Sequence, residues 1–139
     1  MSADFVADAS VAVSWSVASQ SSASTDRLLD DVAAGGVIAV PPLWPYEVAN
    51  TLVLLLRRRR IGKDDYAAAG SLLGKLSVSI DEENPRRAWV HLAGLASEYR
   101  LTLYDAAYLE LAIRKQLPLA SRDTDLNRAA ARCGVRTLL

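Results

Sequence analysis

Apolar and polar positions fall into two alternating patterns along the chain. Short apolar runs rich in β-branched residues, at 5–7, 37–40, 78–80, 117–120 and 135–138, predict buried strands. Between them lie longer stretches with helical spacing. Residues 25–34 place Leu28, Leu29 and Val32 on one face and stop at Gly35-Gly36, a glycine cap. Pro45 opens a helix that runs to the arginines and ends at Gly62. Residues 64–76 and 85–99 predict two more helices. A further helix at 104–116 has Arg114 and Lys115 in its last turn, and a short one spans 125–132. Strands alternating with helices imply βα units, hence an α/β fold with a central, mostly parallel sheet between helical layers.

The length of 139 residues fits one domain over 1–139. With 51% hydrophobic residues, the chain can fill a core without disulfides or a structural metal. The single cysteine, Cys133, has no internal partner and sits near a helix end, which predicts packing and a reducing, cytoplasmic setting. Residues 1–10 lack a basic, signal-like start, and the longest apolar run, 52–56, is too short to span a bilayer. That run makes its helix apolar nearly all round, which predicts burial or a groove for a partner helix, with Trp15 and Trp44 beside it. The formal net charge is zero, so any polyanionic partner must be met by a local patch.

Ligands of open α/β sheets bind at the carboxyl ends of the strands. Asp8 follows the first predicted strand and Asp123 the fourth, while Glu47 and Asp105 lie in first turns of helices that start at the same edge. Acids are also favoured at helix N-termini by capping and the helix dipole, and Thr102 and Asp105 have the spacing of a capping box. Asp4, Asp64 and Asp81 read as ordinary caps. Asp8 and Asp105, however, are embedded in apolar sequence, Glu is a poor N-cap, and no basic side chain neighbours Asp8, Glu47 or Asp105 in sequence. A buried carboxylate must be paired, protonated or metal-bound. Oxygen donors of this kind select a hard ion, Mg²⁺ or Mn²⁺. The lone histidine, His91, has no ligand or nucleophile beside it and reads as a surface or boundary residue.

Four stretches carry a family resemblance: Phe5-Val6-Ala7-Asp8-Ala9-Ser10, Pro45-Tyr46-Glu47-Val48-Ala49-Asn50, Leu103-Tyr104-Asp105-Ala106-Ala107-Tyr108 and Leu119-Ala120-Ser121-Arg122-Asp123. In this order and spacing the chain resembles the PIN-domain family and, more narrowly, the VapC-type toxins of VapBC toxin–antitoxin pairs. The resemblance implies a three-layer α/β/α fold and RNA cleavage with Mg²⁺, for which Mn²⁺ substitutes. It also implies a homodimer held inactive by a cognate VapB-type antitoxin. Asp8, Glu47 and Asp105 then form the acidic core and Asp123 the fourth acid, with Asp125 a further metal ligand two residues later. Ser10, Asn50 and Ser121 would orient carboxylates or waters.

Arg57, Arg58, Arg59 and Arg60 form a basic run suited to RNA phosphates, although a cationic helix end also complements the dipole. Arg86 and Arg87 are a second such pair. Other phosphate-transfer domains fit less well. A receiver domain needs paired acids after its first strand and a later lysine, and a haloacid-dehalogenase-type phosphatase needs a second aspartate where Ser10 stands. The alternative of a different class is a catalytically idle PIN-fold module that binds protein or RNA.

Overall fold

The structure, a computed structural model, describes residues 2–139. Four strands, β1 (Phe5–Ala7), β2 (Ile38–Val40), β3 (Val78–Ile80) and β4 (Leu119–Ala120), form an all-parallel sheet in the order β3-β2-β1-β4. β1 and β2 are buried along their whole length, as parallel strands covered on both faces must be, whereas edge strand β3 is partly exposed. The chain moves outward from β1 through β2 to β3 and then returns to place β4 on the other side of β1. The order therefore reverses between β1 and β4, which opens a crevice at the carboxyl ends of those two strands.

Among the described residues seven α-helices flank the sheet: α1 (Ala9–Ser16), α2 (Ala23–Ala33), α3 (Trp44–Arg57), α4 (Lys63–Leu73), α5 (Ala93–Tyr99), α6 (Leu103–Lys115) and α7 (Thr124–Arg132). α1 packs against α2, α3 and α4, while α6 packs against α5, α7 and strands β1, β2 and β4. The continuous buried stretch from Ala106 to Ala112 makes α6 the helix most deeply seated in the core. Ser22 caps α2 in a reciprocal box with Thr25, and Pro45 occupies the first turn of α3, where no backbone donor is needed. Trp15 and Trp44 are core residues, Cys133 packs against the core, and Leu52 is buried, with Leu55 and Leu56 packed behind it. Three of the five residues of the apolar run on α3 are thus spent on packing, and Val53 and Leu54 stay half-buried. The large exposed apolar side chains are instead Tyr46, Trp89, Val90, Tyr104, Leu103, Ile80 and Ile113.

α3 stops at Arg57, short of the expected Gly62, and three further segments differ from the sequence-based expectation. Residues 9–16 form a helix that the apolar, β-branched pattern did not announce, because α1 is buried on most of its sides. The single helix expected at 85–99 is instead a 3₁₀ turn (Asn84–Arg87), a π-helical turn (Ala88–Leu92) and α5. Side-chain anchors explain the break. Asn84 donates to the Ala107 carbonyl (3.1 Å) and to Glu110 (2.9 Å), and Leu92 is buried, so the backbone between them must change its winding. The fifth strand at 135–138 reduces to a single bridge between Thr137 and Leu119, since β4 offers only two residues to pair with.

Asp4 and Asp81 are not helix caps. Asp4 accepts from the Val37 N–H (2.8 Å), tying the start of β1 to β2, and Asp81 pairs with Arg114.

Candidate active site

The buried run of β1 continues into Asp8, which is 5% exposed and caps α1 by accepting from the Val11 N–H (3.2 Å). Both its oxygens are occupied. Ser10 Oγ donates to Oδ1 (2.6 Å) and Ser121 Oγ donates to Oδ2 (2.5 Å). The two serines also fasten the loop after β4, for Ser10 Oγ accepts from the Arg122 N–H (3.0 Å) and Ser121 Oγ from the Asp123 N–H (2.9 Å). Asn127 on α7 adds a bond to the Ser121 carbonyl (2.9 Å). Ser10 and Ser121 thus each donate to one oxygen of the Asp8 carboxylate. Burial pushes the Asp8 carboxyl above its ordinary range, the two hydroxyls and the Val11 amide pull it back, and the charge of Asp123 adds to the rise.

Asp123 caps α7, with Oδ1 accepting from the Leu126 N–H (2.8 Å), and its side chain is otherwise exposed. Asp105 is not itself a cap. Thr102 performs that role by accepting from the Asp105 N–H (3.0 Å). Burial, then the charges of Asp123, Asp8 and Glu47, push the Asp105 carboxyl up to about 6. Glu47, in the first turn of α3, is half-buried, and its Oε1 accepts from the Tyr108 hydroxyl (2.6 Å). Burial raises its pKa, the Tyr108 bond opposes that, and the charge of Asp8 adds to it. Asp8, Glu47 and Asp123, contributed by separate places in the chain, thus all lie near enough to Asp105 for their charges to bear on its carboxyl. Among the described residues no Lys or Arg forms an ion pair with Asp8, Glu47 or Asp105.

Asp125 is exposed in the first turn of α7 and pairs with Arg128 at 3.6 Å. Asn50, one turn beyond Glu47, is exposed and hydrogen-bonds no carboxylate among the described residues. Arg57, Arg58, Arg59 and Arg60 are exposed at the opposite end of α3, about 15–20 Å along the axis from Glu47 at 1.5 Å per residue. Arg87 is turned towards buried Glu110 (3.4 Å), and Arg86 pairs with Glu83 (3.9 Å). His91 is exposed, as expected. Sequence reasoning missed Tyr108 and Asn127. The signal for Tyr108 was its position three residues after Asp105, which puts both side chains on one side of α6.

Asp8, Glu47, Asp105 and Asp123 offer only oxygen donors, the chemistry of a hard divalent cation and not of zinc held by nitrogen and sulfur. Among the described residues no three Asp, Glu, His or Cys side chains converge closely enough to hold a metal ion on their own. An ion bound here would complete its shell with water or substrate oxygens.

A solved structure, that of PAE2754 from Pyrobaculum aerophilum, is similar in fold, with a TM-score of 0.64 and 22% identity over 93% of this chain and 86% of that one. No curated protein matches the chain in sequence. The PIN-domain family model matches residues 5–132, from the first residue of β1 to the last of α7, and so takes in every carboxylate of the cluster. The chain belongs to the PIN-domain family.

Proposed function

We propose that the chain is a Mg²⁺-dependent endoribonuclease, with Mn²⁺ able to substitute, and the toxin of a toxin–antitoxin pair acting in the cytoplasm. Family membership implies a nuclease-type function and the general use of divalent ions. The observation that carries the finer reading is the set of three carboxylates, Asp8, Glu47 and Asp105, all raised in pKa and none ion-paired with a Lys or Arg among the described residues. Asp8, Glu47, Asp105 and Asp123 would hold the ion. When bound, it supplies an activated water and neutralises charge on the phosphodiester.

The chain's own groups do the rest. Ser10 and Ser121 fix the plane of the Asp8 carboxylate, and the Tyr108 hydroxyl fixes that of Glu47. Ionised Asp105 is costly without a positive charge nearby, so its readiness to ionise is linked to occupancy of the site. In-line attack of water on the phosphorus, with departure of the 3′-oxygen, leaves a 5′-phosphate and a 3′-hydroxyl. Exposed Trp89 and Val90 support contact with another chain, a second copy or an antitoxin.

The test is cleavage of pooled RNA by purified protein with Mg²⁺ or Mn²⁺, beside EDTA and Asp8→Asn controls, with fragment ends mapped. Cleavage that persists in EDTA or in Asp8→Asn defeats the reading. The second reading, an idle binding module, draws on the lack of a preassembled three-ligand cage among the described residues. Calorimetric titration with Mn²⁺ separates the two, because an idle module gives no heat that depends on Asp8.

A further inference from the structure

The outer face of α7 carries a second feature that the hydrolytic reading leaves unused. Asp125, Arg128, Ala129 and Arg132 fall at i, i+3, i+4 and i+7, so they form one stripe along the helix. Ala129 is buried against the core, and its small side chain leaves room between the two exposed arginines. The end of α5 meets this stripe with Tyr99 and Arg100, and together these residues line a pocket of about 310 Å³. Three of the lining residues are arginines and one is an acid. Asp125 faces Arg128 at 3.6 Å, an exposed pair of the kind that contributes little and that a stronger anion readily replaces. Among the described residues neither Arg100 nor Arg132 pairs with an acid. The next acid in the chain, Glu98, lines a different cavity. Arg132 lies over the ring of Tyr99, 5.3 Å from its centroid, and Tyr99 in turn packs against the core. The ring thus holds one guanidinium in place before any ligand arrives.

The position of the pocket narrows its occupant. α7 begins beside Asp123, and at 1.5 Å per residue Arg128 and Arg132 stand about 8 and about 14 Å further along its axis. Arg100 comes two residues before Thr102, the cap of the helix that carries Asp105. Both walls of the pocket therefore start at the edge where the carboxylates gather. The carboxylates repel a polyanion, and the total charge of the chain is zero, so attraction must come from a local patch. Guanidinium groups meet phosphate oxygens with paired N–H donors. A strand held at the carboxylates brings its next phosphates to these arginines at high effective concentration, an advantage that an acidic peptide lacks.

We propose that Arg100, Arg128 and Arg132 together take one backbone phosphate of the RNA strand, a few nucleotides from the bond to be cleaved, and so anchor the strand along α7. The identity of the strand rests on the ribonuclease reading above.

The experiment measures fluorescence anisotropy of labelled hexauridylate, and of labelled oligoaspartate, over a series of salt concentrations on the full chain with nuclease-inactive Asp8→Asn. Arg100→Gln, Arg128→Gln, Arg132→Gln and the triple variant are compared in that background. Gln116 holds the same left-handed φ of 55° as Arg100, so glutamine suits that backbone. Each single change should weaken hexauridylate binding about three- to tenfold. Because the three arginines share one phosphate, the triple variant should lose little more than the worst single one. Its slope of log affinity against log salt should fall by about 0.7, the share of one single-stranded phosphate, rather than by about 2. Unchanged hexauridylate binding in all four variants overturns the pocket. A slope lowered by about 2 overturns the shared phosphate, since each arginine would then meet a phosphate of its own. Oligoaspartate bound more tightly than the strand through the same arginines assigns the surface to an acidic protein, and the inference falls. Mn²⁺ calorimetry with Asp8 intact judges the nuclease reading separately. Heat that depends on Asp8, beside unchanged strand binding in the variants, overturns the pocket alone. Strand binding that depends on the arginines, without such heat, upholds the pocket and removes the nuclease.

Discussion

Asp105 and Tyr108 show how single residues set the terms on which this site operates. With its carboxyl raised from an ordinary 3.8 to about 6, native Asp105 keeps its proton in a range where the unfolded chain has lost it. The folded state then binds more protons than the unfolded one, so this residue's contribution falls as pH rises from about 4 through about 6. Raised Asp8 and Glu47 push in the same direction. In EDTA, Asp105→Asn should therefore match wild type in melting temperature near pH 4 and exceed it by a few degrees at pH 7, with solvent access to the site limiting the gain. Mg²⁺ at pH 7 should close that gap by stabilising wild type more. A difference between the two proteins that does not vary with pH would contradict the linkage. Tyr108, 1% exposed, spends its only hydroxyl on Glu47. Its loss in Tyr108→Phe should cost about 1 kcal/mol of stability in urea titration. The same change should weaken Mn²⁺ binding about 10–100-fold, as loss of a partner to a metal-holding carboxylate does elsewhere. Calorimetry on the folded variant checks this, and unaltered Mn²⁺ affinity would reduce Tyr108 to a packing residue.

At the scale of elements, a buried ion network decides how the irregular segment at 84–92 docks. Glu110 on α6 accepts from Asn84 (2.9 Å) and pairs with Arg114 (2.6 Å), which in turn grips Asp81 just after β3. These bonds join α6, the carboxyl end of the edge strand and the 3₁₀ turn. Without Glu110, Asn84 loses its carboxylate partner and Arg114 keeps only Asp81, so Glu110→Ala should destabilise the fold by about 2 kcal/mol, less than a fully broken buried pair. Urea midpoints measure it, and hydrogen exchange should rise first across 84–92. A cost below that of an ordinary surface change would show that packing alone holds the segment. The network also marks the boundary of what the sequence makes legible. The apolar runs of β1, β2 and β3, the glycine stop after α2 and the proline start of α3 are local signals, and each strand, α2 and the start of α3 fall within about two residues of where they point, whereas α3 ends at Arg57, short of Gly62. The acids were legible because topology, which alternation predicts, carries all four to one edge. The winding of 84–92 was not, since it depends on Asn84 meeting Glu110 twenty-six positions away. Tyr108 was hidden for the same reason: its partner lies sixty-one residues off, and on α6 it reads as one more core residue. α1 was missed because a helix buried on most sides loses the amphipathic period that identifies helices.

Over the whole molecule, the neutral total of 16 basic and 16 acidic residues conceals a polar separation along α3. Its first turn carries Glu47 into the acidic cleft, and its far end carries Arg57, Arg58, Arg59 and Arg60 into solvent. An RNA strand meets repulsion at the first place and attraction at the second, about 15–20 Å away along the helix. The arginines can therefore help only a strand long enough to reach from the carboxylates to the end of α3, and a di- or trinucleotide gains nothing from them. Each single-stranded phosphate they neutralise adds about 0.7 to the slope of log affinity against log salt. Replacing Arg57, Arg58 and Arg60 with Gln leaves Arg59 in place, whose backbone has a positive φ of 55° that substitution could disturb. In a nuclease-inactive Asp8→Asn background, the triple variant should lower the slope for a long strand by about 2. The slope for a short one should stay where it was. Anisotropy at a series of salt concentrations reads both. Equal losses for the two lengths would mean that the arginines act on the general field of the protein, and no loss for either would leave them as a solvated helix end.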